Sequence, residues 1–455
     1  MQVLRLRPLA AYCAQDDRRV YFAQQPTLNA TDAPFRMGHP ASLRVDLAEA
    51  MAKLNRRRFL ASGGATAAAM VAERHGLATA IGEAGGERPA RFDLTCHRFG
   101  VNYTPSQNWW FCWNDWDAGP IGRDLDAIAA LGADHLRLML IWPFFQPNPK
   151  WVSTAHLERL DQLLAMMGER KLDALVTAFT GQLSGWYFLP SFNRLSDGFY
   201  TDAKMAAAEE VYIRQLARIM KPHENVIGFD FGNELDTCWS APVAAGDAWM
   251  TRMFALMNEV LPDCLHVNGV DHHPWFEPDT FSARALAAAR FPVMHCYPFW
   301  TGATKYGGAM DPPSVKLLAG MAALIRAYAA SNEKPVFAGE FNTCIEELPE
   351  KGQAEWLERA VEAAIEQGVS WFTYWDSHDV DRKFEFNTLE YSLGLLARDG
   401  RVKEQGRAFK RLAEAYRGKP VAFPKEAALA LPAEMTVDST WRWLLEWMGW
   451  APKKT

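Results

Sequence analysis

Closely spaced cysteine pairs are missing from this chain. Its seven cysteines (Cys13, Cys96, Cys112, Cys238, Cys264, Cys296 and Cys344) form no CxxC pair and no zinc-like spacing. A zinc ribbon and a dithiol redox centre are therefore excluded. Several lie in or beside apolar runs and read as small buried residues; one or two disulfides stay open if the protein is exported. Basic charge is not in excess either. Lys and Arg total 48 against 54 Asp and Glu, a formal charge of −6. No basic stripe stands out, so nucleic acid is not an expected partner. No apolar run approaches the roughly 20 residues of a membrane span.

Aromatic side chains, by contrast, are plentiful: 12% of residues, with 18 Trp. Most belong to a core, yet a flat ring also stacks on the apolar face of a pyranose. The length of 455 residues, 49% of them apolar, suits one large domain or two modest ones.

The N-terminal region carries an address. "NRRRFLASGGATAAAMVA" (55–72) has consecutive arginines, then Phe59-Leu60, then an Ala/Gly-rich stretch, and Ala78 and Ala80 follow in an A-x-A arrangement. The pattern resembles a twin-arginine export signal over residues 51–80. It implies a periplasmic or secreted protein. Residues 1–50 show no periodicity and no export logic, and Met51 directly precedes the signal. They read as a non-native or disordered extension, with Met51 as the true start.

Beyond residue 95 the pattern alternates. Strand-like runs occur at 98–103, 135–140, 172–179, 226–234, 264–269, 292–298, 335–341 and 369–375. Between them lie amphipathic stretches such as "AHLERLDQLLAMMGER" and "GQAEWLERAVEAAIEQG", with apolar residues three and four apart. Gly132 and Gly368 supply helix stops. Eight β/α units over residues 95–415 predict an α/β fold, a (β/α)8 TIM barrel. A doubly wound sheet is the alternative, but no Gly-rich phosphate loop follows the first strand. Residues 416–455 form a tail. Its "STWRWLLEWMGW" reads as an amphipathic helix packed on the barrel.

In a barrel, functional residues stand at the C-terminal strand ends. The fourth strand ends in Asn233-Glu234 and the seventh in Glu340. Two carboxylates at one rim are what cleavage of a glycosidic bond needs. One, protonated, donates to the leaving oxygen; the other attacks the anomeric carbon, and retaining enzymes hold the two about 5 Å apart. Arg137 on strand two is placed to brace the strand-seven carboxylate. His295 and Tyr297 share one face of strand six. Trp375 ends strand eight, where it would floor a sugar. Asn102 and Tyr103 end strand one. Gln182 and Trp186 lie in the loop "FTGQLSGW", which is long enough to shape a cleft. Asp376 and Asp379 either contact sugar hydroxyls or cap a helix. His272 and His273 in "DHHPW" show no third ligand, so no metal is expected, and no cofactor.

Arg137, Asn233-Glu234, His295-x-Tyr297, Glu340 and Trp375, in that order, resemble the pattern of clan A glycoside hydrolases, most closely family 5, the cellulase and mannanase family. The resemblance covers about residues 95–415. It implies Glu234 as general acid/base, Glu340 as nucleophile, and Asn233 as the contact to the sugar 2-hydroxyl. It also implies that Tyr297 and Arg137 hold the Glu340 carboxyl low, and that burial keeps Glu234 protonated. Family members commonly carry a His after strand three; here the stretch is "AFTGQLSGWYFLP". The expected function is an exported retaining β-glycoside hydrolase acting on a glucan- or mannan-type oligo- or polysaccharide. The rivals are a carbohydrate-binding barrel without activity and a transglycosylase of the same clan. A metal-dependent barrel hydrolase would want His-x-His on strand one, which reads "RFGVNYTP".

Overall fold

A computed structural model describes residues 92–193, 198–384, 388–426 and 429–451. The extension at 1–50 and the export signal at 51–80 lie outside the described residues.

Seven parallel strands curl into a barrel wall: β1 (Arg98–Asn102), β2 (His135–Ile141), β3 (Asp173–Thr180), β6 (Val226–Asn233), β7 (Val293–Cys296), β8 (Val336–Phe341) and β9 (Val369–Tyr374). Their order is β6-β3-β2-β1-β9-β8-β7. A small antiparallel hairpin, β4 (Gln182–Leu183) and β5 (Trp186–Tyr187), rises after β3. The strands are buried on both faces, as expected for apolar runs in a parallel sheet.

The helices that cover the wall follow the amphipathic stretches. The larger ones are α1 (Ala118–Ala130), α2 (Thr154–Glu169), α3 (Ala203–Met220), α4 (Val243–Val260), α5 (Leu317–Ala329), α6 (Glu350–Glu366) and α7 (Glu404–Tyr416). Asp117 and Asp202 cap α1 and α3 by accepting from backbone N–H groups. Gly132 and Gly368 take left-handed backbone (φ 85° and 66°) just past α1 and α6.

The expected fifth strand differs. Residues 264–269 form only an isolated bridge, at Val267 opposite Asp230. On the β6 side the chain does pair: Leu265 N donates to Ile227 O (2.8 Å) and Val267 N to Phe229 O (2.9 Å). On the β7 side, Val293 N donates to the side-chain Oδ1 of Asn268 (3.3 Å). Next to it Val270 N turns back onto Asn268 O (2.8 Å), which ends any extended run. The eighth position of the barrel is thus filled, but a carboxamide does part of the work of a ladder.

A second apolar cluster sits at the N-terminal strand ends, around Trp371, Phe337, Phe291 and Phe92. Phe291 lies edge-on to Trp371 at 5.1 Å and Phe337 at 5.9 Å. It seals the end opposite the strand tips that carry the polar residues.

The tail helix α8 (Val437–Met448) opens with a capping box at Thr436 and Ser439. Trp441 Nε1 donates to Thr301 O (3.0 Å), Thr440 Oγ1 to Phe276 O (2.7 Å), and Leu444 approaches Gly320 of α5. Among the described residues no helix is long and apolar enough to cross a membrane. Cys112, Cys238, Cys296 and Cys344 are buried thiols outside any disulfide.

Candidate active site

Side-chain alternation on β2 sends His135, Arg137 and Met139 to one face. Arg137 is 1% exposed and meets four partners. Its Nε donates to Asp230 Oδ2 (2.7 Å), Nη1 to Asn102 Oδ1 (3.1 Å) and to Glu340 Oε1, and Nη2 to Asn233 Oδ1 (3.0 Å). One guanidinium therefore joins four strands: β2 itself, β1, β6 and β8. A buried ion set of this kind is stable only because its lone pairs are satisfied. Thr177 Oγ1 adds a further bond to Asp230 Oδ2 (3.0 Å).

The pairing register places His295 of β7 opposite Glu340 of β8. Tyr297 OH donates to Glu340 Oε2 (2.7 Å). His295 Nδ1 lies 2.8 Å from Glu234 Oε1 and 3.5 Å from Glu340 Oε1. Burial and the Arg137 charge hold that imidazole well below its ordinary pKa, so it is neutral.

Adjacent strand residues ordinarily face opposite ways. Glu234 escapes this rule by taking left-handed backbone, φ 47° and ψ 51°, while its N–H donates to Gly269 O (2.7 Å). Asn233 and Glu234 thereby reach the same rim. Asn233 is fixed at both ends, since Nδ2 also donates to the main-chain O of Gln182 (3.1 Å).

The two carboxyls differ in surroundings. Burial raises Glu234 well above the usual range, and Asp271, Glu340 and Asp236 add to the rise. Burial also pushes Glu340 up, to about 7, while Arg137 and Tyr297 work against it. A low Glu340 carboxyl is therefore not what the structure holds: desolvation outweighs both donors. Both carboxyls are thus raised by burial, Glu234 further by its acidic neighbours, while Arg137 and Tyr297 hold Glu340 back.

The remaining expected residues take varied places around the rim. Asn102 spends its amide on Gly339 O, Thr373 O and Tyr374 O (3.1–3.3 Å), so it braces the wall beneath the rim. Tyr103, one residue on, points the other way and donates to Asp124 Oδ2 (3.1 Å). Asp376 is buried and accepts from Thr104 Oγ1 (2.5 Å). Asp379 accepts from Lys403 Nζ (2.7 Å) and Gly394 N (3.1 Å), a loop-capping role. Trp375 is buried at the tip of β9 beside Trp110, 5.7 Å between centroids. Trp186 stands at 44% exposure on β5.

Three acids not picked out from the sequence also belong here. Asp230 hides inside the apolar run of β6; on alternation it shares a face with Glu234, which is the signal that points to it. Asp271 ties His272 Nδ1 (2.7 Å) and His273 Nδ1 (2.5 Å) beside Glu234. Although burial works against it, Asp271 raises His273 to about 9. Glu390 is the third and lies 2% exposed beyond β9.

Among the described residues, two groups bring three ligand atoms within 4.8 Å of one another: Glu234, His295 and Glu340, and Asp271, His272 and His273. In the first, both Glu340 oxygens already accept from Arg137 and Tyr297. In the second, the Asp271 oxygens are taken by the imidazoles. Neither donor set resembles a vacant cation cage.

Comparison with known proteins gives the family. The model of "Cellulase (glycosyl hydrolase family 5)" matches residues 93–381. A GH5_18 protein from Streptomyces cattleya, solved with GlcNAc, is 32% identical; the match covers 72% of this chain and 83% of that one, with TM-score 0.68. A GH5_18 variant from Bifidobacterium longum subsp. longum, solved with Manb1-4GlcNAc, is 30% identical over 78% and 89%, with TM-score 0.71. The exo-beta-1,4-mannosidase Op5Man5 from Opitutaceae bacterium strain TAV5 is 28% identical over 73% and 62%, with TM-score 0.65. No curated protein matches. Its barrel, its rim and these likenesses agree: the chain belongs to glycosyl hydrolase family 5 and is a glycoside hydrolase.

Proposed function

We propose that the enzyme is a retaining exo-β-mannosidase that removes a terminal mannose β-1,4-linked to N-acetylglucosamine, and that it is exported through its twin-arginine signal. One observation carries the retaining reading. Oxygens of Glu234 and Glu340 lie within 4.8 Å of each other. Retaining enzymes hold the pair at about 5–5.5 Å, inverting ones at about 6.5–9.5 Å to admit a water. The choice of sugar is supported by the mannose-containing and GlcNAc-containing ligands of the relatives and by the exo-mannosidase among them.

In this mechanism Glu340, ionised first, attacks the anomeric carbon. Arg137 and Tyr297 hold its two oxygens in line. Glu234 gives its proton to the departing glycosidic oxygen. As the covalent mannosyl–enzyme forms, Glu234 becomes the base that takes a proton from the water that releases mannose. The amide of Asn233 offers its remaining hydrogen to the 2-hydroxyl. Trp375 supplies the floor.

The test is the anomer first released from Manβ1-4GlcNAc, read by proton NMR. β-Mannose is expected; α-mannose overturns the retaining mechanism. Glu340→Ala is expected to lose activity by at least about 10⁴-fold, with azide giving the inverted mannosyl azide from an activated aryl mannoside. Full activity in that variant removes Glu340 from the chemistry. For export, the mature N-terminus is expected beyond residue 80; a peptide from residues 1–50 in the native precursor overturns Met51 as the start.

A further inference from the structure

Glu390 has no role in the steps above, yet it is buried at the same site. It sits on a short 3₁₀ turn (Thr388–Tyr391) held to the loop after β9, where Val380 N donates to Glu390 O (3.4 Å). The side chain reaches inward, and the residue is 2% exposed. Burial pushes its carboxyl up to about 7, against the polar groups of Ser184 and Trp375 and with Glu340 adding to the rise. Its charge in turn raises Tyr297 and Asp376. Glu390 therefore lies beside Trp375 and Ser184.

Its Oε2 has no hydrogen-bond partner among the described residues. Burying an acceptor without a donor is costly to the fold. Ser184, in the turn between β4 and β5 (φ 52°), brings its side chain to this carboxyl. One oxygen so left, on a carboxyl that Ser184 and Trp375 touch, is open to a sugar hydroxyl.

We propose that Glu390 is a specificity-determining residue of the glycone subsite. It accepts from a hydroxyl on the far edge of the terminal sugar, at C3, C4 or C6, and with the β4–β5 hairpin it ends the cleft one sugar beyond the scissile bond. C1 and C2 are excluded because they face the carboxylate pair and Asn233. The proposal rests on the glycosidase reading and deepens it, since a cleft ended there acts only on terminal residues.

The experiment compares wild type, Glu390→Ala and Glu390→Gln on aryl β-mannoside and its 3-, 4- and 6-deoxy analogues. Wild type is expected to lose at least 30-fold in kcat/KM on one analogue. Glu390→Ala is expected to lose at least 30-fold on the parent and to be indifferent to that same deletion. Melting temperatures report folding, and Glu390→Gln keeps the shape if Ala does not. Equal deoxy penalties in wild type and variant overturn the proposal, as does an unchanged kcat/KM. Failure of wild type on the β-mannoside sinks the mannosidase reading instead. The same comparison then runs on monosaccharide binding by calorimetry across mannose, glucose and galactose, where unchanged affinity in Glu390→Ala overturns the inference.

Discussion

At the residue scale the site is governed by what each carboxyl feels. On the mechanism proposed above, Glu340 must be ionised to attack, so its proton would set the acid limb of the rate profile; Glu234 must hold its proton, so it would set the alkaline limb. Tyr297 donates to Glu340 at 2.7 Å and favours the ionised form. Tyr297→Phe removes that donor and raises the Glu340 pKa further. The acid limb of kcat/KM is therefore expected to move up by about one pH unit, the worth of one hydrogen bond to a charged group. The alkaline limb stays. An unmoved acid limb would show that Tyr297 does not hold the nucleophile. The residues that sequence pattern makes legible are those at strand tips: Arg137, Asn233, Glu234, His295, Tyr297, Glu340 and Trp375 come to one rim because the barrel aims all its strand ends alike. Glu390 is illegible because no strand carries it. It reaches the cleft by a loop about 16 residues beyond β9, and loop paths leave no period to read. The raised Glu340 carboxyl is likewise hidden, since burial cannot be weighed from neighbours in sequence.

At the scale of elements, the position that most constrains the wall is Gly228. Its backbone sits at φ 156°, and a Cβ there would lie 2.0 Å from Leu265 O. That contact is where β6 receives residues 264–269. Gly228→Val is expected to destabilise by more than about 3 kcal/mol, in the range of core overpacking and strained backbone. Gly185, in the β4–β5 turn, has a φ of 83° but nothing within 4 Å. Gly185→Ala is expected to cost only about 1 kcal/mol. Thermal melts of the two variants check the contrast; similar losses would mean that the seam at Gly228 yields. Seven of the expected strands follow from buried apolar runs. The eighth, "CLHVNG", has the apolar start of a strand but ends in Asn268-Gly269. His266 turns its Nδ1 to accept from Phe229 N (3.1 Å). Side chains that bond to backbone compete with a ladder, and composition alone does not say which wins.

On the scale of the whole molecule, the chain after the last barrel helix is part of the barrel's support. Residues 418–421 run under β1: Gly418 N donates to His97 O (2.8 Å), His97 N to Lys419 O (2.9 Å) and Val421 N to Thr95 O (2.6 Å). Helix α8 then buries Trp441 to 2% exposure against the loops after β7. Trp441→Ala is expected to cost about 3–5 kcal/mol and to lower the melting temperature by several degrees. Turnover per folded molecule should hold, because α8 packs on Thr301, Phe276 and Gly320 rather than through the carboxyls of the rim. A variant that melts normally but loses turnover would place α8 in the cleft's function instead. The rim is itself built in two arcs. One, on β6 and the segment beside it, bears Glu234 and Asp271; the other, from β7 onward, bears His295, Tyr297 and Glu340. Where the arcs meet below, Asn268 is the fastener, and above it the imidazole of His295 reaches across to Glu234. The gap between the two rim carboxyls is thus gauged not by a continuous weave of main chain but by the length of one carboxamide and one ring.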